Sequence, residues 1–431
     1  MKLKINVHMY RVGFGDCFLV TFGSTEPKYR ILFDCGRHAG STPVEEEELA
    51  FESVIARLIN DIPKTSEEGH DVRRIDIIVA THRHRDHVHG FSKTDLWKDI
   101  VVGEIWMPWL EDPEDQHARR LTMSQEHSAR RALSALKALK AASGEPTKTF
   151  DSAIEIVYNS TTNKTAMEFL HRGLRADRRR FLPRLGYFPD SFSADQLGDR
   201  IPRGVTLHVL GPSRDPAVIT SLQPPPGTAY EPLLHKNGLN VDEADEMEAG
   251  TAPEPFGQNW KVEADAYDLE PEERARIETA VINGAVSPLE LAYRLDQSLN
   301  GTSLVIVIEA GDVKLLFAGD AQWGTWNAIL RDKQAAAIVD GPAMYKVGHH
   351  GSHNATPIEF VDKHLREGAK SLVSVGPTNY GGGWQDIPLD SLLLALEKRG
   401  PVFRSDGDNP DVNAFVEIEF EADVPHSPEA R

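Results

Sequence analysis

Ile75-Asp76-Ile77-Ile78-Val79-Ala80-Thr81, followed at once by His82-Arg83-His84-Arg85-Asp86-His87, is the stretch that decides how this chain reads. An apolar run of strand character gives way to three imidazoles and a carboxylate within six residues. Neutral imidazole nitrogen and carboxylate oxygen together suit Zn²⁺ and its neighbours. His82 and His84, two residues apart, can converge on one ion from an extended segment. Asp86 and His87 point elsewhere and can serve a second ion. The competing reading is a solvated loop of mixed Arg and His. With 17 His in 431 residues, clustering at those offsets directly behind a strand favours the metal.

The same grammar recurs along the chain. Ser303–Glu309 and Val313–Ala318 read as a strand pair ending in Gly319-Asp320, and an Asp there can bridge two ions through its two oxygens. Ala343–Val347 runs into Gly348-His349-His350-Gly351-Ser352, and Ile31-Leu32-Phe33 into Asp34-Cys35-Gly36. Taken singly, each of these Asp or His residues is an ordinary turn or loop residue. Four strand ends of one kind describe a polar floor between packed sheets.

Phe33–Gly36, Thr81–His87, Phe317–Asp320 and Val347–Ser352 together resemble the metallo-β-lactamase-fold hydrolases. More narrowly, the chain is similar to the hydrolase domain of the ComEC DNA-uptake proteins. That similarity is carried by Val12–Cys17, Asn300–Val305, Lys346–Ser352 and Ser374-Val375-Gly376 leading to Asn379-Tyr380-Gly381. The resemblance implies that His82 and His84 hold a first ion, that Asp86, His87 and His350 hold a second, and that Asp320 lies between them. Asp86 and His349 then count as catalytic groups, with His349 facing the substrate oxyanion; an exchange of roles between His349 and His350 stays open. Asp34 is expected to orient a ligand imidazole through the nitrogen that does not touch metal. The usual third His of the first ion falls at Asn300, a poorer ligand for Zn²⁺. The first site is therefore weak, or completed by His353 or His89, or suited to a harder ion such as Mn²⁺.

Fold class and mechanism follow from the same reading. Strands near 3–11, 16–22, 29–34, 74–81, 102–107 and 204–210, with helical periodicity at 46–60, 116–142, 162–176 and 287–299, imply an α/β protein. The arrangement expected is an αββα metallo-β-lactamase sandwich forming one domain over 1–425. Insertions at about 111–200 and 213–299 form a helical cap, and a polar tail frays from 421. Residues 223–273, opened by Pro224-Pro225-Pro226, read as an extended acidic insertion. Two ions sharing a water lower its pKa toward ~7 and supply hydroxide at neutral pH, which makes hydrolysis the leading reaction class. Gly381-Gly382-Gly383 lacks the Lys and following helix of a phosphate-binding loop.

Composition frames the substrate. The 40% hydrophobic and 26% charged residues are ordinary for a soluble globular protein. No apolar stretch is long enough for a membrane span, and Met1–Val7 enters a strand directly, so a cytoplasmic protein with no membrane association is expected. Cys17 and Cys35, each in an apolar context, read as buried, reduced thiols. The net charge of −19 opposes nucleic-acid binding, since phosphate rewards positive surface. Yet residues 116–184 carry 14 basic against 6 acidic side chains, with a dense run through Arg178, Arg179 and Arg180. That run is either a phosphate-facing surface or a solvated face matched by residues 241–275, where 12 acidic residues meet 2 basic ones. A phosphodiester, including DNA or RNA, is the favoured substrate. A small ester, lactone or thioester, and a metal-stabilised scaffold with little turnover, are the alternatives.

Overall fold

The computed structural model describes residues 1–26, 28–39, 41, 50–67, 69–143, 148–161, 163–198, 200–231, 288–376, 387–407 and 414–425. Among these, strands β1 (Lys2–Tyr10), β2 (Phe18–Phe22), β3 (Tyr29–Phe33), β4 (Lys64–Glu67), β5 (His70–Val79), β6 (Ile100–Pro108), β7 (Ala176–Leu182) and β15 (Phe415–Asp423) form one sheet. Its order is β15-β1-β2-β3-β5-β6-β7, with β4 against β5. The second sheet runs β14 (Val402–Arg404), β13 (Lys370–Val373), β12 (Met344–Lys346), β11 (Val313–Phe317), β10 (Val305–Ala310), β9 (Val205–Gly211), β8 (Asp190–Phe192).

Each sheet is antiparallel in one half and parallel in the other. The parallel halves are β3-β5-β6-β7 and β11-β12-β13-β14. Parallel strands share their carboxyl ends along one edge, where α/β sheets place their ligands. Every strand end that the motifs mark belongs to these halves.

Alternation along the strands explains the layering. Ile31, Phe33, Ile77 and Val79 point into the space between the sheets, where they meet Leu207, Val209, Ile306, Ile308 and Leu315. The Phe33 and Phe317 rings stack across that space with centroids 3.9 Å apart. Leu32 and Ile78, one residue out of phase, face outward onto helix α1 (Phe51–Asp61), against Val54, Ile55 and Leu58. Burial on both faces is why β5 reads as an unbroken apolar run rather than an alternating one. On the far side, Val305, Val307 and Tyr345 are covered by Trp326, Ile329, Ala335 and Leu392. The αββα sandwich expected from the sequence is the architecture found.

Over the carboxyl edge lie helices α2 (Arg85–Val88), α3 (Gln116–Ser143), α4 (Lys148–Thr161) and α5 (Pro288–Asn300). The last three share a small core of Leu136, Ile156, Val157 and Leu295 that also receives Phe14.

Several expectations are corrected here. Residues 111–200 are not wholly cap: β7 extends the edge of the first sheet and β8 the edge of the second. The run Arg178-Arg179-Arg180 therefore sits in an edge strand, where charged side chains discourage pairing with other chains. The helix at 162–176 ends by Gly173, before β7 begins. The chain does not fray at 421, because β15 pairs with β1 as far as Lys2 opposite Asp423. The acidic insertion beyond residue 231, Asn379–Gly383, residues 46–49 of the 46–60 helix, and 426–431 lie outside the described residues. No helix among the described residues is long and apolar enough to cross a membrane.

Candidate metal centre

The motif loop leaves β5 at Val79 and is held from both sheets. Leu304 donates its backbone N–H to Thr81 O at 2.9 Å, which joins the sheets at the site. Cys35 N–H bonds to His87 O at 2.8 Å. Next to it, Gly36 passes so close that a Cβ there would lie 2.1 Å from the Asp86 carbonyl carbon and 2.2 Å from His87 N. Only glycine permits that approach. Arg83, between two of the histidines, points away: it forms two 2.8 Å bonds to the Glu111 carboxylate and a 2.7 Å bond to Glu126 on α3.

Asp86, His87, Asp320 and His350 come together, all buried, with their ligand atoms within 4.8 Å of one another. His87 Nε2 is 3.1 Å from Asp320 Oδ2, and His350 Nε2 is 3.2 Å from Asp86 Oδ2. The nitrogens facing away from this cluster have partners of their own. His87 Nδ1 lies 2.8 Å from Asp34 Oδ2, and His350 Nδ1 is 2.7 Å from Ser374 O. That leaves both Nε2 atoms for an ion, with their rings oriented from behind. Asp34 also accepts from Thr81 N–H and Thr81 Oγ1, both at 2.7 Å.

The first pair is less complete. His82 Nε2 and His84 Nδ1 converge to 3.0 Å, yet among the described residues no third carboxylate or imidazole closes with both of them as in the four-residue cluster. Asn300 is buried beside them; its Nδ2 donates to Asp296 Oδ2 at 3.2 Å and contacts His349 Nε2 at 3.2 Å, and its Oδ1 has no hydrogen-bond partner. His349 does not join the cluster, its Nδ1 being held 2.8 Å from Ser352 Oγ. His89 stacks on Phe51 with its Nε2 2.8 Å from Arg85, so it is turned away; neither it nor His353 belongs to the cluster.

Electrostatics say what is wanted here. Burial alone would push the His87 imidazole down, but Asp320, Asp34, Asp86 and Asp16 outweigh it and hold it well above the usual histidine range. His350 is raised in the same way, against burial, by Asp320 and Asp86. Asp86 and Asp320 stay well below the carboxylate range despite burial, because these imidazoles are near and, for Asp320, the Lys346 ammonium as well. A buried site that draws protons onto two imidazoles among four carboxylates is one that a cation satisfies. His82, His84 and His349 are pushed down by burial, the last two to about 4, and so remain neutral donors of the kind metals take. Unpartnered buried oxygens on Asp16, Asn159, Asp296, Asn300 and Gln322 border the same space. The residues present fit one divalent cation fully and a second in part.

Four neighbours escaped sequence reasoning. Asp16 and Lys346 lie within quoted motifs; the buried Lys346 ammonium spans Asp16 Oδ2 at 2.5 Å and Asp320 Oδ1 at 3.4 Å. Asn159, donating to Asp86 Oδ1 at 3.0 Å, and Asp296 come from the cap helices, where no motif marks them.

The basic run is largely engaged within the fold. Arg180 bonds Glu104 at 2.6 Å, Arg179 donates to the carbonyls of Leu170 and Leu174 at 2.8 Å, and Arg184 pairs with Asp190 at 2.6 Å. Arg178, with its side chain 59% exposed, is 3.8 Å from Glu104. Cys17 and Cys35 are buried free thiols.

No family model matches the chain, and no curated protein matches it. Among solved structures, zinc-bound PqqB from Methylobacterium extorquens aligns over 97% of this chain and 99% of that one, at 10% identity and a TM-score of 0.35. A likeness that slight carries no argument.

Proposed function

We propose that the protein is a metal-dependent hydrolase whose tight site is Asp86, His87, Asp320 and His350. The observation that carries this reading is the buried four-residue cluster at the shared carboxyl edge of two sheets, with both imidazoles oriented from behind. His82 and His84 would hold a second, weaker cation. Zn²⁺ suits the donors, and Mn²⁺ suits a first site that has an amide oxygen in place of a third imidazole. Bound there, such cations supply Lewis acidity and a water of lowered pKa.

The chain's own groups do the rest. Asp34 and the Ser374 carbonyl keep Nδ1 of His87 and His350 out of the reaction space. Lys346 neutralises part of the charge of Asp16 and Asp320. His349, kept neutral by burial, would donate to a substrate oxygen from Nε2 as the tautomer protonated there, with substrate in place of the Asn300 amide that Nε2 now accepts from.

The substrate class proposed is a phosphodiester, supported by the motif resemblance to the ComEC hydrolase domain. The basic run gives it little support, since Arg179, Arg180 and Arg184 are used internally; Arg178 is the member with most exposure for long nucleic acids. A small ester, lactone or thioester is favoured over DNA or RNA by that same internal pairing. The incomplete first site favours a scaffold with little turnover. Metal-replete protein assayed on chromogenic phosphodiesters, single-stranded and duplex nucleic acids, and esters separates the three. Turnover of a phosphodiester that chelator abolishes is the expected result; inertness toward every class leaves the scaffold.

A further inference from the structure

His84 has one ring nitrogen toward His82 and the other toward the cap. Its Nδ1 lies 3.0 Å from His82 Nε2. Its Nε2 lies 3.1 Å from Ser160 Oγ on α4 and 3.4 Å from Asp296 Oδ1 on α5. All four side chains are buried. Asp296 Oδ2 is occupied by Asn300, one turn further along α5, whereas Oδ1 makes no hydrogen bond in this arrangement.

We propose that Asp296 is a positioning residue for the first metal site: when that site fills, its free Oδ1 accepts the Nε2–H of His84 and so commits Nδ1, beside His82 Nε2, to the ion. This rests on the two-cation reading above. A neutral imidazole carries one N–H, so the ligating nitrogen is bare only when the other holds the proton, and a buried N–H demands an acceptor. Ser160 and Asp296 are the acceptors present, and Asp296 Oδ1 is the one left without a hydrogen bond of its own.

The cap is then part of the metal centre. Helix α4 reaches the second site through Asn159 and Asp86, while α4 and α5 together reach the first through Ser160 and Asp296.

The test uses the full chain loaded with Co²⁺, read by binding isotherm and visible absorption. In Asp296→Ala, the tight equivalent should bind as in the parent, while the weaker one loses 10–100-fold in affinity and its absorption changes. Asp296→Asn, which keeps an acceptor without charge, should recover part of that loss, and it carries the comparison if the alanine variant does not fold. In a His84→Ala background, Asp296→Ala should cost nothing further. Parent-like binding of both equivalents by Asp296→Ala overturns the proposal. So does an additive loss in the His84→Ala background, which would make Asp296 a ligand itself. A parent that binds no ion at His82 and His84 fails before any Asp296 variant is made, and it is the two-cation reading that then falls.

Discussion

Asp34→Asn isolates a single interaction behind the tight site. Asp34 has φ +54°, a left-handed conformation that Asn also tolerates, so the backbone is not strained by the change. The Asn oxygen can keep the Thr81 N–H bond now 2.7 Å long. Its amide nitrogen then faces His87 Nδ1, where Asp34 Oδ2 accepts at 2.8 Å. With Nε2 given to an ion, Nδ1 carries the proton, and two donors meet. Ring orientation and basicity both suffer, and the loss expected for a second-layer partner is 10–100-fold in metal affinity, about 1.4–2.7 kcal/mol. Asp34→Ala removes the Thr81 acceptor as well and so costs a further ~1–3 kcal/mol of folding stability, because a buried N–H is left without a partner. Competition against a chelator of known affinity measures the first quantity, and urea unfolding measures the second. Parent-like affinity in Asp34→Asn would refute the assignment of Nε2 as the ligand atom of His87.

Other outcomes follow from the same geometry. His87→Ala and Asp320→Ala should abolish metal-dependent turnover and empty the tight site, while Cys35→Ala, which removes only a buried thiol, should leave both nearly intact; metal content measured on the folded variants decides. Gly36→Ala should destabilise the protein by more than the ~1–3 kcal/mol of ordinary overpacking, because its Cβ meets the backbone of Asp86 and His87, as thermal unfolding would register. In chelator, His87 and His350 have folded pKa values above the unfolded histidine value of ~6.5. Their contribution is therefore full below that value and is lost as pH rises through the raised folded values. Ion-free protein should lose stability from neutral toward alkaline pH, and metal-loaded protein should not; equal pH slopes in urea unfolding would contradict this.

Much of the candidate centre was legible because its side chains sit at the ends of strands whose apolar runs announce themselves. Thr81–His87, Asp320 and His350 meet because the carboxyl ends of parallel strands share an edge, while their expected roles came from the motif resemblance. The doubled His was harder: His349 and His350 both have positive φ, 44° and 54°, so their side chains do not follow strand alternation, and only packing separates their directions. Asp296 and Asn159 could not be read at all. They lie on helices whose own pattern serves the cap core, and they meet His84 and Asp86 only through tertiary folding. The internal partners of the basic run were hidden for a different reason. A charged edge strand has no apolar alternation to mark it, and the Glu104 that faces Arg180 is distant in sequence.

The central claim is that this chain holds a divalent cation tightly at Asp86, His87, Asp320 and His350 and a second one less tightly at His82 and His84. Equilibrium titration of chelator-treated protein with Zn²⁺, followed by elemental analysis after exhaustive dialysis, tests it most directly. The account predicts one retained equivalent that His87→Ala removes, and a second equivalent that dialyses away. Two equally retained equivalents would show that another ligand completes the first site in place of Asn300, and no retained metal at any loading would contradict the account outright.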